Sequence, residues 1–421
     1  MLPTPRSERF RGWSLLGLST LAISFTLPGQ TIGVSSFAEH LTDDLKISST
    51  ALSTAYLIGT IVGALTMPAF GRWIDRAGVR KTMITIATAF SFAVAYMGTV
   101  RHLWMLVVGF IGIRMLGQGA LSLVSQTSIA LWFDQKRGFA FGISMTVSAG
   151  LMSLGPLVLT SLIAGFGWRW AWCIAGGCIF VAVVPVTWRW MEDRPESLGQ
   201  LPDGLSSALA ESAKKVHHYT VKEAIATQAF WITTSVMVVS SALLTGVTFH
   251  HFALMEAAGL TTAQAATVFI PQMVGTVAAG FLWAGLSDRM SPRVLLVSCQ
   301  ASLVAAHLAY AGAQPGIGAA IYSLLLGVNG GSIRALVSVL YPKWFGTQHI
   351  GAIRGVATAF GVGASAIGPL IVAGGFQITG NYVQLSYILA TIPAAAMVAA
   401  LFLKPPQKLK PKTAFPETGV R

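Results

Sequence analysis

The chain has 421 residues, of which 54% are hydrophobic and only 10% are charged. A soluble protein carries roughly 25% charged residues, so this composition excludes an ordinary soluble domain and indicates a membrane protein. The net charge of +13 would suit a nucleic-acid-binding protein, but the placement of the charges between apolar runs argues against it. Cys173, Cys178 and Cys299 all lie in apolar runs and give no disulfide framework. We therefore predict no nucleic-acid partner, no metal and no cofactor.

Apolar runs long enough to cross a bilayer recur along the whole chain, since a transmembrane helix needs ~20 mostly apolar residues. The first run has no small-residue cleavage site at its end, which favours an uncleaved span over a signal peptide. We expect an all-α membrane protein with twelve transmembrane helices. The predicted spans are 13–37, 50–71, 82–100, 103–132, 139–164, 168–190, 228–253, 262–286, 293–312, 316–341, 353–377 and 382–403.

The positive charges are strongly biased to one side of this predicted topology. If the N-terminus is cytosolic, only Lys46, Arg101 and Arg169 fall outside, and Arg114 and Arg334 lie within spans. All other Lys and Arg residues then lie inside. Cytosolic loops carry an excess of Lys and Arg, so we predict an integral protein of the cell (inner or plasma) membrane with both termini cytosolic.

The sequence repeats itself at half its length. Such a repeat in an apolar chain predicts two pseudo-symmetric six-helix bundles with a site between them. The recurring elements share a spacing of 213 residues: Asp75-Arg76 and Asp288-Arg289, Arg80 and Arg293, Gly155-Pro156 and Gly368-Pro369.

The repeat and the polar stretches divide the chain into four parts. We predict a first bundle at 1–190, a cytosolic linker at 191–227, a second bundle at 228–403 and a basic cytosolic tail at 404–421. The end of the linker, 220–231, has apolar residues at helical spacing and predicts a short interfacial helix.

Small residues and prolines inside the spans predict close packing and bending. The Gly-x-x-x-Gly patterns at 59–63 and 351–355 are typical of helices whose backbones approach closely. Pro156 and Pro369 lie mid-span, where proline removes a backbone hydrogen bond and bends the helix. Such bends suit helices that must rock, although proline is also common in membrane helices without this role.

The loop after the second span resembles the signature loop of the major facilitator superfamily. It places Gly71, Asp75, Arg76, Gly78 and Arg80 in the order glycine, Asp-Arg, glycine and basic residue. The resemblance implies the major facilitator fold and a cytosolic latch that holds the outward-open state and breaks on rocking. The alternative is that the loop only determines topology.

The second half carries a degraded copy of this loop, with Asp288, Arg289 and Arg293 retained and Ala284 in place of the leading glycine. By the resemblance, Asp288 and Arg289 belong to the same predicted gating set as the first loop. We add Pro156 and Pro369 to that set because their bends recur at the same spacing.

The fourth span carries Arg114-Met-Leu-Gly117-Gln118-Gly119, which resembles the superfamily's second motif, an arginine followed closely by glycines. Arg114 and Gln118 are four residues apart and lie on one helix face. A charge near mid-membrane is costly and marks a candidate site. The alternative is a structural role, capping the carbonyls of a kinked first span.

The sequence offers no acidic residue in the middle of a span, and Glu256 comes nearest, at the outer end of the seventh. If protons are coupled, His250, His251 and His307 are the candidates. The alternative is that each is a satisfied interhelical hydrogen-bond partner.

Arg114 and Arg334 are thus cations without an obvious protein anion, and an uncompensated buried charge needs a partner. We hypothesise that a small organic anion, a carboxylate, supplies it. Arg334 lies nearer the cytosolic end and has the alternative of snorkelling to the headgroups. The predicted substrate-binding residues are Gln30, Arg114, Gln118, His250, Gln272, Asn329 and Arg334.

Several segments resemble the monocarboxylate-porter and oxalate/formate-antiporter branch of the superfamily. These segments are 132–144, at the entry to the fifth span, Gly167-Trp168-Arg169, and 194–204 in the linker. Gly280 stands where carboxylate-moving members of this branch place an arginine. Carboxylate transport therefore does not follow from the branch alone.

Three functions compete at this stage. The first is an alternating-access secondary carrier of a small organic anion, with the coupling to a proton or an exchanged anion left open. The second is a drug or metabolite exporter, and the third is a non-transporting membrane sensor. We predict no enzyme, because the sequence has no phosphate loop, His-Glu-x-x-His or nucleophile elbow. The resemblance implies a monomer in the lipid bilayer.

Overall fold

The computed structural model describes residues 10–133, 136–198, 200, 219–287, 289–346 and 350–406, apart from the side chains at 68, 75, 137, 138 and 350–352. Asp288, the Asp75 side chain and the basic tail beyond residue 406 lie outside this description. Helices build the fold, and the described ranges contain no β-strand.

The first half contains six spans, and its helices are interrupted at several points. Span 1 is divided into three helical pieces, and spans 5 and 6 form one helical run whose only non-helical residue is Gly167, at φ 79°. The pieces are Gly12–Ser24, Leu27–Gly29 and Thr31–Ser35 for span 1, Ser49–Ala77 for span 2, Val79–Met97 for span 3, Leu103–Ile113, Arg114–Leu121 and Ser122–Trp132 for span 4, and Arg137–Trp190 for spans 5 and 6.

The second half repeats this arrangement, and the two halves together give the predicted twelve-helix architecture. Short helices outside the spans are Ala38–Leu45 after span 1, and Pro195–Leu198 and Val221–Ile225 in the linker. The second-half helices are Gln228–Phe249 and His251–Ala257 for span 7, Thr262–Thr267 and Phe269–Leu286 for span 8, Pro292–Ala309 for span 9, Ile317–Phe345 for span 10, Ile350–Thr379 for span 11 and Tyr382–Leu401 for span 12.

The continuous first span predicted over 13–37 is wrong in its middle. Pro28 has no N–H to donate, and Gln30 is extended, with φ −89° and ψ 158°. Because proline removes a helical hydrogen bond and restricts the residue before it, the helix breaks between residues 25 and 30. Backbone carbonyls in this stretch are left without helical partners.

The helix pairs are the same in both halves. Span 1 packs on span 5, span 2 on span 4 and span 3 on span 6, while span 7 packs on span 11, span 8 on span 10 and span 9 on span 12. These pairs correspond through the 213-residue repeat. The equivalence confirms that the repeat in the sequence is a repeat of structure.

Arg80 and Arg293, the repeated arginines, make the same kind of contact in each half. The Arg80 guanidinium donates to the carbonyl of Trp188 at the end of span 6. The Arg293 guanidinium donates to the carbonyl of Leu403, just after span 12. Each arginine therefore ties the start of the third helix of its bundle to the end of the sixth.

We call the membrane face that carries the linker and both chain ends the linker face, and the opposite face the far face. The backbone N–H of Arg11 donates to Gln200 of the linker at 3.2 Å, which places the N-terminal end there. The hydrophobic clusters of the second half near the linker face are built from residues after 218.

Near the far face, the two halves touch directly. The contacts are Ser53 Oγ to His250 Nε2 at 3.4 Å, Gln377 Nε2 to Thr50 Oγ1 at 2.8 Å and the rings of Tyr56 and Phe249 at 4.7 Å. The halves thus meet directly at the far face.

Candidate functional site

Arg114 opens a π-helical turn, Arg114–Leu121, in the middle of span 4. Arg114 is only 2% exposed to solvent. Such turns widen the helix locally and are frequent at functional sites. The turn and the burial together place a full guanidinium charge inside the first half.

The break in span 1 supplies one partner for this guanidinium. Arg114 Nη1 donates to the carbonyl oxygen of Gly29 at 3.0 Å, and Nε donates to Thr60 Oγ1 of span 2 at 2.9 Å. The Gly29 carbonyl is available because Gln30 is extended and the N–H of Gly33 donates to the Gln30 carbonyl instead. The structural alternative for Arg114, capping the kinked first span, therefore describes one of its nitrogens, Nη1.

The third guanidinium nitrogen, Nη2, is buried and has no hydrogen-bond partner among the described residues. The Arg114 guanidinium carbon lies 4.4 Å from the centroid of the Tyr56 ring, a cation–π distance. The Tyr56 hydroxyl lies 2.6 Å from Thr31 Oγ1, which holds the ring in place. The site thus presents one oriented, positively charged donor with no acceptor among the described atoms.

Close helix packing keeps this site narrow. A Cβ added to Gly29 would lie 2.5 Å from the Ile113 carbonyl oxygen, and one added to Gly59 would lie 2.7 Å from the Phe110 carbonyl carbon. The close approach predicted for the 59–63 pattern is confirmed. For the 351–355 pattern it is wrong at Gly355, where a Cβ would meet nothing within 4 Å.

The two predicted glutamines belong to the segments that hold the guanidinium, the break in span 1 and the π-turn of span 4. Gln30 directly follows Gly29, is half-buried and donates through Nε2 to Thr26 Oγ1 at 3.0 Å. Gln118 lies within the π-turn and is half-buried. Both stay predictions as substrate-binding residues.

The histidines of span 7 bind backbone carbonyls of neighbouring helices. His250 Nε2 donates to the Pro369 carbonyl at 3.0 Å and also lies near Ser53 of the first half. His251 Nε2 donates to the Ala265 carbonyl at 2.8 Å. These contacts favour the alternative of satisfied hydrogen-bond partners. They also give Pro369 a role as an acceptor where spans 7 and 11 meet.

The remaining candidates lie in the second half. Asn329 is fully buried and donates through Nδ2 to the Cys299 carbonyl at 2.8 Å, which joins spans 9 and 10. Gln272 is half-buried in span 8, and His307 Nδ1 donates to Leu303 one turn earlier in its own helix at 2.9 Å. Arg334 is exposed at its position in span 10. The contacts of Asn329 and His307 stay within the second half and do not bring them to Arg114.

The signature loop contacts Asp193 of the linker, a residue that lies outside the loop's sequence pattern. Gly78 has φ 82°, and a Cβ there would lie 2.6 Å from Oδ1 of Asp193 in the linker. That oxygen accepts from the backbone N–H of Arg80 at 2.8 Å. Arg76 and Arg289 are exposed, and Gly71 is half-buried. The second glycine of the loop is thus explained by both its backbone angle and the carboxylate beside it.

The sequence analysis also missed Thr60, Tyr56 and the Gly29 carbonyl. Tyr56 and Thr60 are four residues apart and lie on one helix face, which was the available signal in the sequence. The partnership with Gly29 had no such signal, because it depends on where span 1 breaks.

Comparison with known proteins fits this architecture. A sequence model of the Major Facilitator Superfamily matches residues 15–306. A solved bacterial homologue of the human lysosomal transporter Spinster, in an inward-facing and occupied conformation, superposes with a TM-score of 0.70 at 14% identity, covering 94% of this chain and 97% of that one. The likeness to this solved structure concerns the fold.

Two similar proteins of known name extend the comparison. The nitrite extrusion protein of Bacillus subtilis (strain 168) is 25% identical over 388 residues, which is 90% of this chain and 92% of that protein. The multidrug resistance protein MdtG of Dickeya zeae (strain Ech586) is 24% identical over 321 residues, 75% of each chain.

With twelve spans in two equivalent bundles and this match over more than half its length, the chain belongs to the major facilitator superfamily. Members of this superfamily are transporters rather than enzymes. The chain is therefore an integral membrane transport protein that moves a small molecule across a lipid bilayer.

Proposed function

We propose that the protein is a secondary carrier of a small organic anion, a carboxylate, that works by alternating access. The supporting observation is the buried Arg114 Nη2, which has no partner while the other two guanidinium nitrogens are bonded. A carboxylate or similar oxyanion that accepts from Nη2 would complete the hydrogen bonding of the guanidinium. It would also neutralise a charge that is costly at this depth.

The shape of the site supports a small and compact anion. Gly29, Thr60 and the Tyr56 ring already occupy three sides of the guanidinium, so little room remains for a bulky group. The similarity to a protein named for nitrite extrusion agrees with an anionic cargo, since nitrite is itself a small oxyanion. The resemblance to the monocarboxylate-porter branch remains part of this proposal.

Orientation and domain limits complete the proposal. The positive-inside bias places the linker face in the cytosol of the cell (inner or plasma) membrane. The bundles then comprise 1–190 and 228–403, with the linker 191–227 and the tail 404–421 cytosolic, and the carrier acts as a monomer. In this orientation the far-face contacts close the extracellular side while the site is reached from the cytosol.

A drug or metabolite exporter is the second candidate, and the similarity to a multidrug resistance protein favours it. An exporter of bulky cations or neutral compounds would not need the free guanidinium nitrogen. Export of a small anion would keep the anion site and change only the direction of flux.

Transport assays on Arg114→Gln test the proposal. Proteoliposomes with wild-type protein should accumulate at least one labelled compound from a panel of carboxylates and nitrite, with or without a pH gradient. Arg114→Gln should abolish this uptake and remain monodisperse in detergent. Arg101→Gln, at an exposed position of the far face, is the matched control and should transport normally.

Two results would contradict the proposal. Unchanged uptake by Arg114→Gln would show that Arg114 does not bind the transported anion. Uptake confined to cationic or neutral drugs, insensitive to the Arg114 substitution, would favour the exporter.

A further inference from the structure

A small cavity of about 30 Å³ lies between the two halves at the far face. Its wall includes Glu39 and Thr42 from the short helix Ala38–Leu45, and His250 and Ala253 from span 7. This volume is close to that of one water molecule. The short helix follows span 1, whose 12–37 stretch is already long enough to cross the bilayer. Glu39 is therefore outside the membrane-spanning segment.

Glu39 is poorly compensated in this position. Its Oε1 is buried and has no hydrogen-bond partner in the part of the chain that the structure describes. The other half places the exposed Glu256 at the end of the helix His251–Ala257, and its negative charge acts on Glu39. Like charges brought together in this way favour protonation of one of them.

The other groups around Glu39 do not relieve this repulsion. Arg169 is engaged with Asp44 at 2.5 Å, and Lys46 is exposed at the end of the short helix. The first turn of span 2 begins Ser-Thr-Ala-Leu and brings no charge. The titratable groups that face Glu39 are His40 and Asp43 on its own helix, Glu256 and His250 of the seventh span, and Tyr382 of the twelfth.

The protonation equilibrium follows from these surroundings. Burial raises the pKa of Glu39 from 4.5 to about 7, with the charges of Glu256 and Asp43 adding to the effect. Burial lowers the pKa of His40, so this ring is neutral near pH 7 and offers no compensating charge. When the far face opens, water reaches Glu39 and its pKa returns toward the ordinary value. The closed form then binds the proton more tightly, so closure is favoured at acidic pH and is increasingly penalised as the pH rises through about 7.

We propose that Glu39 is the proton-binding site of the far-face gate. A proton from the far-face solution adds to the Glu39 carboxylate and lets the halves close against Glu256. The proton returns to water when the carboxylate is exposed again. This inference rests on alternating access but not on the identity of the substrate. It assigns proton sensitivity to a carboxyl group at the gate, whereas the sequence pointed to histidines.

Distance measurements between the halves test this proposal without any substrate. Spin labels are placed at His102→Cys and Gln314→Cys, two exposed far-face positions in opposite halves, after the native cysteines are replaced. In nanodiscs, the wild-type background should shift from a short to a long distance as the pH rises, with a midpoint between the ordinary glutamate pKa and about 7. Glu39→Gln should show the short distance at every pH.

Two further variants serve as controls. Asp43→Asn removes an exposed acid from the same helix and should keep the transition with a slightly more acidic midpoint. Glu256→Gln should move the midpoint to higher pH, because removing the opposing charge lets the halves close on an ionised Glu39. A transition that is the same in Glu39→Gln as in wild type, or no transition in wild type, would overturn the proposal. Neither outcome depends on the anion site, since no anion is present.

A spectroscopic measurement covers the case in which Glu39→Gln does not fold. The infrared difference spectrum of the otherwise wild-type protein should show a carboxyl band that titrates near pH 7 and moves to lower pH in Glu256→Gln. If every carboxyl band titrates near the ordinary value for glutamate, the proposal is wrong.

Discussion

The two halves share their helix pairs but differ in what they place at equivalent positions. The residue 213 positions after Arg114 is Gly327. In the first half, spans 2 and 4 approach through the glycines of span 2, at 59 and 63. In the second half, spans 8 and 10 approach through glycines of both helices: a Cβ on Gly327 of span 10 would lie 2.0 Å from the Gln272 carbonyl oxygen, and one on Gly275 of span 8 would lie 2.3 Å from the Leu324 carbonyl oxygen.

The glycine of span 10 at the position equivalent to Arg114 explains where the charge lies. Two helices can pack backbone to backbone if either one supplies the small residues. Because span 2 supplies them in the first half, span 4 is free to carry a long side chain in the same contact. The second half is filled by tight packing at that point and has no room for an equivalent guanidinium. A fold with two equivalent halves can therefore hold a charged site in only one of them.

The largest effect is expected from Arg114→Lys. An ammonium keeps the charge but cannot bond Gly29 and Thr60 while also presenting a further donor in a fixed direction. Loss of one charge-assisted hydrogen bond, about 2–3 kcal/mol, corresponds to a fall in transport on the order of 100-fold. Uptake of the carboxylate that the wild type accumulates measures this.

Arg334→Lys is the matched control for that prediction. The Arg334 guanidinium has no hydrogen-bond or ion-pair partner among the described residues, so a lysine that keeps the charge there should retain most of the transport. Equal losses in the two variants would contradict the distinction between an oriented guanidinium in the first half and a simple positive charge in the second.

Gly327→Ala should cause the next largest effect. The added methyl group would overlap the backbone of span 8, and overpacking costs about 1–3 kcal/mol. The thermal midpoint in detergent should fall clearly. Gly330→Ala is the control, since the nearest atom to its Cβ would lie at an ordinary 3.6 Å, and a comparable loss there would contradict the packing argument.

The equivalence of the halves is tested by Arg80→Gln and Arg293→Gln. Each removes a bond to a carbonyl at the end of the sixth helix of its bundle, so each should cost about 1 kcal/mol. Thermal unfolding should show similar losses for both. The exposed Arg76 provides a control whose replacement by glutamine should leave the midpoint unchanged, and a large loss in only one half would break the equivalence.

The smallest effect is expected from Ser53→Ala. The Ser53–His250 contact is long, at 3.4 Å, and a net contribution of about 0.5 kcal/mol is expected for such a bond. The far-face distance distribution should shift slightly toward the open form. Ser49→Ala, at an exposed position, should leave the distance distribution unchanged. Identical distributions for the two variants would show that Ser53 does not stabilise the closed far face.

Much of the fold was accessible from the sequence because it depends on local or periodic features. Apolar length identified the spans, and the recurrence of Asp-Arg and Arg80 identified the repeat. The same features predicted that Arg114 lies deep in the bundle. The limits of the spans were less accurate, since span 2 continues to Ala77 instead of ending at 71, because helical hydrogen bonding continues past the apolar segment.

The sequence by itself determined the class of protein, the two bundles and the presence of an unpaired positive charge, because hydrocarbon imposes length, apolarity and charge placement on every span. Only the tertiary structure decided which nitrogen of Arg114 stays free and that Glu39 lines a cavity between the two halves. Both depend on contacts between helices distant in sequence: the break in span 1 that exposes the Gly29 carbonyl, and the closing of the two halves at the far face.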